Sequence, residues 1–242
     1  MHRLYHVRVT LSIVLPCYNE EANIAASVRD VLSWLRKKKI TGEVIVVDDG
    51  SKDGSRRVLS LLRKRAKNIR IVRHERNQGY GVAIRTGCDA AKGDIIAFMD
   101  SDRQFHANDL SVLLPHIKDY AFVSGRRRKR ADPLVRRLFG KMLATMNLVM
   151  LGLWVRDINC GMKMFRRGIW KKIRPVHGVE KLFNTEIFLK LKQQKIPWLQ
   201  VLISHYPRRA GAPTGGSPRV ILRMFTELRN LKRGARASRK KS

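Results

Sequence analysis

At 242 residues the chain is long enough for one sizeable α/β domain or two small ones, and an apolar fraction of 44% excludes a disordered polymer. Its 51 lysines and arginines stand against 19 aspartates and glutamates, a formal net charge of +32, so its surface attracts polyanions: nucleic acid, anionic headgroups or phosphorylated substrates. Three scattered cysteines, Cys17, Cys88 and Cys160, show no Cys-x-x-Cys spacing, which excludes a disulfide framework or zinc finger and suits a reducing cytoplasm.

Ser12 to Pro16 reads as a short buried strand. From Glu20 the apolar residues Ile24, Val28, Val31, Leu32 and Leu35 recur at helical spacing, and the basic run Arg36 to Lys39 suits the negative dipole end of that helix. Glu43 to Asp48 is a β-branched run of the kind found in strands covered on both faces. Val58, Leu59, Leu62 and Ala66 mark a second helix and Ile69 to Val72 a third strand. A helix over Gly79 to Ala91 and a strand over Asp94 to Met99 follow. Short connections between alternating strands and helices imply right-handed crossovers and a mostly parallel sheet.

Tyr120 to Val123 is expected as a strand, Arg126 to Arg130 as a basic loop, Pro133 to Leu153 as one long helix, Asn184 to Lys195 as another, and Pro197 to Tyr206 as strand-like. Residues 1–225 form the expected single domain. Residues 226–242 form a basic tail, whose Arg229 to Ser242 carries no acid and reads as mobile. No secretory signal is expected, because Met1 to Arg8 leads straight into a strand. No membrane span is expected either: Leu138 to Val155 is interrupted by Lys141, Thr145 and Asn147, short of the roughly 20 apolar residues a span needs.

In open parallel sheets ligands bind beyond the carboxyl ends of the strands, and the polar residues cluster there. The first strand leads into Pro16 to Glu20, the second into Asp48 to Ser51, the fourth into Asp100-Ser-Asp102, and the third connection carries Asn77-Gln-Gly79. Each alone is compatible with a cap or turn; four on one edge favour a site. Asp100 and Asp102, one residue apart, repel each other unless a cation lies between them. Mg²⁺ or Mn²⁺ takes such oxygen ligands together with phosphate oxygens, and Gln104 can add an amide oxygen.

The segments Ser12-Ile-Val-Leu-Pro-Cys-Tyr-Asn-Glu-Glu21, Val46-Val-Asp-Asp-Gly-Ser-Lys-Asp-Gly54, Asn77-Gln-Gly-Tyr-Gly-Val-Ala83 and Asp100-Ser-Asp102 resemble glycosyltransferase family 2, over about residues 10–225. Within it the chain resembles the dolichyl-phosphate mannosyltransferase and bacterial polyprenyl-phosphate branch. The resemblance implies a GT-A fold, a Rossmann-like, mostly parallel central sheet flanked by helices, and inverting sugar transfer from a GDP- or UDP-sugar to a polyprenyl or dolichyl phosphate. It implies a nucleotide-sugar pocket formed by Pro16, Tyr18, Glu20, Val47, Asp48, Asp49, Met99, Asp100, Ser101, Arg127 and Arg208, with Asp100, Asp102 and Gln104 on Mg²⁺ or Mn²⁺. Ser124-Gly-Arg-Arg127 is similar to a phosphate-meeting segment, in which the register leaves a shift of one open. Asp157, in Asp157-Ile-Asn-Cys-Gly-Met-Lys163, and Glu186 are similar to acceptor-side acids with a catalytic role.

One departure concerns the late Arg-x-x-Gly. That branch follows it with Ser-Lys, whereas Arg208-Arg-Ala-Gly211 leads into Ala212-Pro-Thr-Gly-Gly216, so Arg209 or Arg219 is left to replace the lysine. A phosphate acceptor needs positioning more than deprotonation, since second phosphate pKa values lie near about 6. Asp157 can then orient a basic partner such as Lys163 or an arginine; an alcohol acceptor, soluble or glycan, needs it as a base. Leu138, Met142, Met146, Val149 and Leu153, flanked by Arg136, Arg137, Lys141 and Arg156, suit either an anionic membrane surface on its cytoplasmic face or the core. The rival class, a nucleic-acid binder, lacks a reading element or aromatic platform: aromatic content is 7%. A dehydrogenase is excluded because Ile84 stands where a third glycine belongs after Gly79-Tyr-Gly81. A nucleotidyltransferase is disfavoured because the first loop is not glycine-rich.

Overall fold

The computed structural model describes residues 10–128, 134–178, 182–208 and Leu231, with side chains from Met142 onward in the helix that follows the first gap. The expected tail at 226–242, apart from Leu231, lies outside the described residues, as do Arg209, Arg219 and the side chains of Arg136, Arg137, Leu138 and Lys141.

Seven strands form one sheet: β1 (Thr10–Cys17), β2 (Thr41–Asp48), β3 (Ile69–Arg73), β4 (Ile95–Met99), β5 (Phe122–Arg127), β6 (Met162–Arg166) and β7 (Trp198–Ile203), in the order β3-β2-β1-β4-β6-β5-β7. Every described pairing is parallel except those of β6 with β4 and β5. Three long helices alternate with the first strands: α1 (Glu21–Lys37), α2 (Ser55–Arg65) and α3 (Tyr80–Ala90). A short helix α4 (Leu110–Leu113) lies between 3₁₀ turns, followed by α5 (Leu134–Leu151), α6 (Trp170–Ile173) and α7 (Phe183–Gln193).

The β-branched runs are central strands because both faces are covered. Along β1, Leu11, Ile13, Leu15 and Cys17 face a core built with Ile24, Val28, Val31 and Leu35 of α1 and Leu59 and Leu62 of α2. Val14 faces the other way, with Ile45 and Val47 of β2, towards Ala83, Ile84 and Cys88 of α3 and Phe183, Ile187 and Phe188 of α7. Period-2 alternation thus places successive β1 side chains in two apolar layers.

Two expectations change here. The basic stretch after Val123 is not all loop: β5 continues through Arg126 and Arg127, paired with β7 as far as Ile203. β6 was not foreseen; its second residue is Lys163, fully buried between Phe98 of β4 and Ser124 of β5 in register, and a lysine in a five-residue run masks the apolar signal of a strand. The order 3-2-1-4 means that successive crossovers run outward from β1 to β3 and then return to β4. The reversal opens a crevice between the carboxyl ends of β1 and β4, the topological switch point where ligands bind in such sheets.

Candidate active site

Both sides of that crevice are acidic. β1 ends in Cys17 and turns through Tyr18 and Asn19, the latter at φ 54°, so that Glu20 folds back into a buried position. Its backbone N–H donates to the Ser55 hydroxyl (3.0 Å) and its carboxylate accepts from Asn23 Nδ2 (2.7 Å) and from the Arg208 guanidinium. Burial pushes the Glu20 carboxyl above its usual range, against the lowering effect of Asn23 and Arg208.

Across the crevice, β4 delivers Asp100, Ser101 and Asp102. Ser101 ties the two loops together: its hydroxyl donates to the Pro16 carbonyl (2.5 Å), and its own carbonyl accepts from the Ser27 hydroxyl of α1 (2.8 Å). Arg103 takes φ 67°, a left-handed conformation rare outside glycine; it turns the chain so that Gln104 N–H donates to Asp102 Oδ1 (3.1 Å). Asp100 accepts from the Tyr80 hydroxyl (2.9 Å), and its backbone N–H donates to the Gly161 carbonyl (3.1 Å). A Cβ on Gly161 would lie 1.8 Å from Asp100 Oδ2, so glycine is required for the carboxylate to sit there.

The electrostatics fit a hard cation. Burial, then the neighbouring Asp102, pushes the Asp100 carboxyl up to about 7, so ionising both acids together is unfavourable without added positive charge. Two carboxylates of this kind suit Mg²⁺ or Mn²⁺, whose shell is completed by water and phosphate oxygens. No group of three or more His, Cys, Asp or Glu side chains with metal-binding geometry occurs among the described residues, so the diphosphate and water would have to complete the shell. The Gln104 side-chain amide donates to the Tyr206 carbonyl (3.4 Å).

The acids after β2 work from inside. Asp49 accepts from His74 Nδ1 (2.7 Å), Gln78 N–H (2.9 Å) and Gly79 N–H (2.9 Å), which fixes the loop that enters α3. Asp48 is fully buried; Oδ1 accepts from Ser51 N–H (3.0 Å), while Oδ2 has no hydrogen bond and lies 3.5 Å from Arg56 Nε. Val47 and Met99 are buried in opposite core layers, so their side chains shape the floor and only their backbones can meet a ligand. Tyr18 and Pro16 remain partly accessible at the rim.

On the far side of β4, Arg127 and Asp157 form a buried fork. Arg127 donates through Nε to Oδ2 (2.9 Å), through Nη2 to Oδ1 (2.7 Å) and through its backbone N–H to Oδ2 (3.0 Å). Arg127 is therefore a basic partner of Asp157, while Lys163 Nζ donates to the carbonyls of Ile158 (3.3 Å) and Cys160 (2.5 Å) in the same turn. Burial lowers that lysine to about 8. Glu186 accepts from the backbone N–H groups of Val176 (2.7 Å), His177 (2.8 Å) and Gly178 (2.6 Å) and pairs with Lys190 (3.0 Å). It anchors the loop before α7. Sequence reasoning missed Tyr80, Gly161 and His74 as partners of the acids; the first two lie inside motifs already singled out, but nothing in their spacing names the carboxylate each one meets.

The same fold occurs in glucosyl-3-phosphoglycerate synthase from Mycobacterium tuberculosis, solved in complex with Mn²⁺, UDP-glucose and phosphoglyceric acid: TM-score 0.64, 26% identity, covering 91% of this chain and 80% of that one. The chain is 32% identical over 181 residues to dolichyl-phosphate beta-glucosyltransferase ALG5A of Trichomonas vaginalis, covering 68% of this chain and 55% of the relative. It is 26% identical over 215 residues to dodecaprenyl-phosphate galacturonate synthase of Rhizobium johnstonii, covering 87% of this chain and 63% of the relative. It thus spans less than two thirds of the length of these curated relatives. The family model described as Glycosyl transferase family 2 matches residues 12–174, a stretch that contains both sides of the crevice and the Asp157 turn, and the chain belongs to that family.

Proposed function

We propose that the protein transfers a sugar, with inversion, from a nucleotide-sugar donor to a polyprenyl phosphate, in a reaction that requires a divalent cation. The observation that carries the acceptor class is the state of the two acids expected to act in catalysis. Asp157 is occupied by three donors from Arg127, and Glu186 by three backbone N–H groups and Lys190. Neither is poised to remove a proton from an alcohol. A phosphate monoester is already largely ionised near neutrality and needs no base. The names of the relatives, a dolichyl-phosphate glucosyltransferase and a dodecaprenyl-phosphate galacturonate synthase, support the same class.

In this reading the donor's diphosphate lies between the β1 and β4 ends, with Asp100 and Asp102 holding the cation and Gln104 beside them. The cation supplies charge neutralisation for the departing diphosphate. Glu20, Tyr18 and Pro16 line the nucleotide side, while Asp48 and Asp49 hold the loops on which it rests. An acceptor phosphate oxygen attacks the anomeric carbon as the bond to the diphosphate breaks, and the nucleoside diphosphate leaves. Arg127, paired with Asp157, positions the acceptor-side turn; Arg126, on the opposite face of β5, and Arg128, just past the end of that strand, are the cations offered to phosphate. The domain boundary at 225, the basic tail and the peripheral placement on a cytoplasmic membrane face belong to this proposal. No described helix is long and apolar enough to cross a membrane. Exposed Met142, Leu148 and Val149 of α5 and Trp154 just beyond it provide an interfacial face near Arg156.

Thermal stabilisation by a panel of GDP- and UDP-sugars, with and without Mn²⁺, ranks the donors, since a ligand of the folded state raises its apparent stability. Transfer to a short-chain polyprenyl phosphate is expected to vanish in Asp102→Ala with the fold retained. Turnover equal to the parent in saturating Mn²⁺ overturns the assignment.

A further inference from the structure

Arg208 joins the two sides of the crevice. It lies on the segment that follows β7, and its guanidinium donates to Glu20 Oε1 while lying 3.6 Å from Asp102 Oδ2. The segment that carries it is docked on the loop of the acid pair itself. Tyr206 N–H donates to the Gln104 carbonyl (3.0 Å), the Gln104 amide returns to the Tyr206 carbonyl (3.4 Å), and the rings of His106 and Tyr206 meet edge to face at 4.6 Å, those of Phe105 and His205 at 5.3 Å. One protein cation is thus held over an acid from each side of the switch point.

We propose that Arg208 is the resident counter-cation of the Glu20–Asp102 pair, and that it exchanges with the divalent ion: it competes with metal in the free protein and turns to the diphosphate when metal and nucleotide arrive together. The inference rests on the metal reading above. A carboxylate oxygen bound to Mg²⁺ or Mn²⁺ has little left to offer a guanidinium, and the two cations repel at this spacing. A nucleoside diphosphate changes the balance, because its oxygens accept the guanidinium in a charge-assisted geometry that favours arginine. By linkage, whatever Arg208 subtracts from metal affinity the metal subtracts from the Arg208 contact. The free enzyme therefore disfavours bare metal and favours the metal–nucleotide pair, so that loading is ordered by charge.

The consequence is a change of sign. Manganese EPR titration of the free protein is expected to show Arg208→Ala binding Mn²⁺ alone about fivefold tighter or more than the parent, the lower end of ordinary coupling energies. With a saturating nucleoside diphosphate present, the order reverses, and the same variant binds Mn²⁺ more weakly. Arg208→Lys, which keeps the charge but not the fork, falls between on the first measurement. If Arg208 only fastens the segment to the loop, Arg208→Ala weakens Mn²⁺ binding in both titrations, and the proposal is wrong. Unchanged affinity for Mn²⁺ alone also overturns it. If the parent protein binds no Mn²⁺ with or without nucleotide, the metal reading itself has failed, and the exchange with it.

Discussion

Replacing Asp157 by asparagine separates two roles for the acid that the sequence alone leaves open. The side chains of Arg127 and Asp157 are 8% and 7% exposed, so this is a buried pair, and removing one partner strands the other's charge in the interior. The carboxylate takes hydrogen bonds of 2.9, 2.7 and 3.0 Å from Arg127. An asparagine of the same shape offers one acceptor oxygen and turns an N–H₂ towards the guanidinium. Breaking such a pair costs about 3–5 kcal/mol. For a domain of this size each kcal/mol lowers Tm by about 2–4 °C, so a fall of roughly 6–20 °C is expected by calorimetry. The paired change Arg127→Met with Asp157→Leu removes both charges and is expected to recover most of that loss, because apolar replacement of buried ion pairs is often neutral or better. Transfer to a phosphate acceptor is measured below the variant's melting range, across pH. A positioning role predicts a modest loss with the shape of the pH profile preserved. Unchanged Tm with a loss of about 10²–10⁴ in rate, the usual contribution of a general base, refutes the reasoning and restores Asp157 as the base.

Three further outcomes follow from particular residues. Asp100 has a raised folded pKa, so its contribution to stability is complete below the unfolded carboxyl value and is lost as pH rises towards about 7; the metal-free protein is expected to lose Tm over that window more than Asp100→Asn does, and stabilisation by Mn²⁺ is expected to grow with pH, with parallel curves for the two proteins counting against the assignment. Glu186→Gln is expected to cost about 2 kcal/mol or more in urea unfolding, since hydrogen bonds to charged groups are each worth about 1.5–3 kcal/mol, while leaving the KM for donor unchanged; a selective loss of kcat at intact stability would place Glu186 in the chemistry. Trp154, 61% exposed, and Val149 of α5, 78% exposed, are tested together: Trp154 is expected to be quenched by bromine-labelled acyl chains in anionic vesicles at physiological salt, and Val149→Asp to abolish that quenching; emission indifferent to the vesicles leaves α5 without a lipid-facing role.

The fold was largely legible because its strands are buried on both faces and its helices carry one apolar stripe. Ile24, Val28, Val31 and Leu35 all lie in the α1 core, and the run to Asp48 became β2. What stayed hidden has specific causes. β6 is antiparallel and carries a buried lysine whose ammonium is satisfied by two carbonyls and lies 5.4 and 5.8 Å from the Phe98 and Phe188 ring centroids, an arrangement that no periodicity announces. β5 runs into a basic stretch because Arg127 has an acid to meet, and that acid is 30 residues away. The acidic clusters at the strand ends were readable as a site from the open-sheet rule, but which oxygens remain open to a ligand is decided by long-range partners.

That distinction changes how the motif acids divide the work. Asp49, Asp157 and Glu186 each accept three hydrogen bonds from identified donors within their own chain. These bonds fix the loop into α3, the turn before β6 and the loop before α7. Asp100 and Asp102 are arranged differently. Asp100 accepts a phenol hydroxyl, whose own pKa burial and then Asp100 push well above the ordinary range. Asp102 faces Arg208 at 3.6 Å, beyond hydrogen-bonding distance. In a protein carrying +32, cations meet Asp157 through Arg127 and Glu186 through Lys190. At the end of β4, burial and then Asp102 push the Asp100 carboxyl up to about 7, so the two acids ionise together only at a cost that added positive charge relieves, and in the function proposed above a divalent ion bound with a diphosphate supplies it.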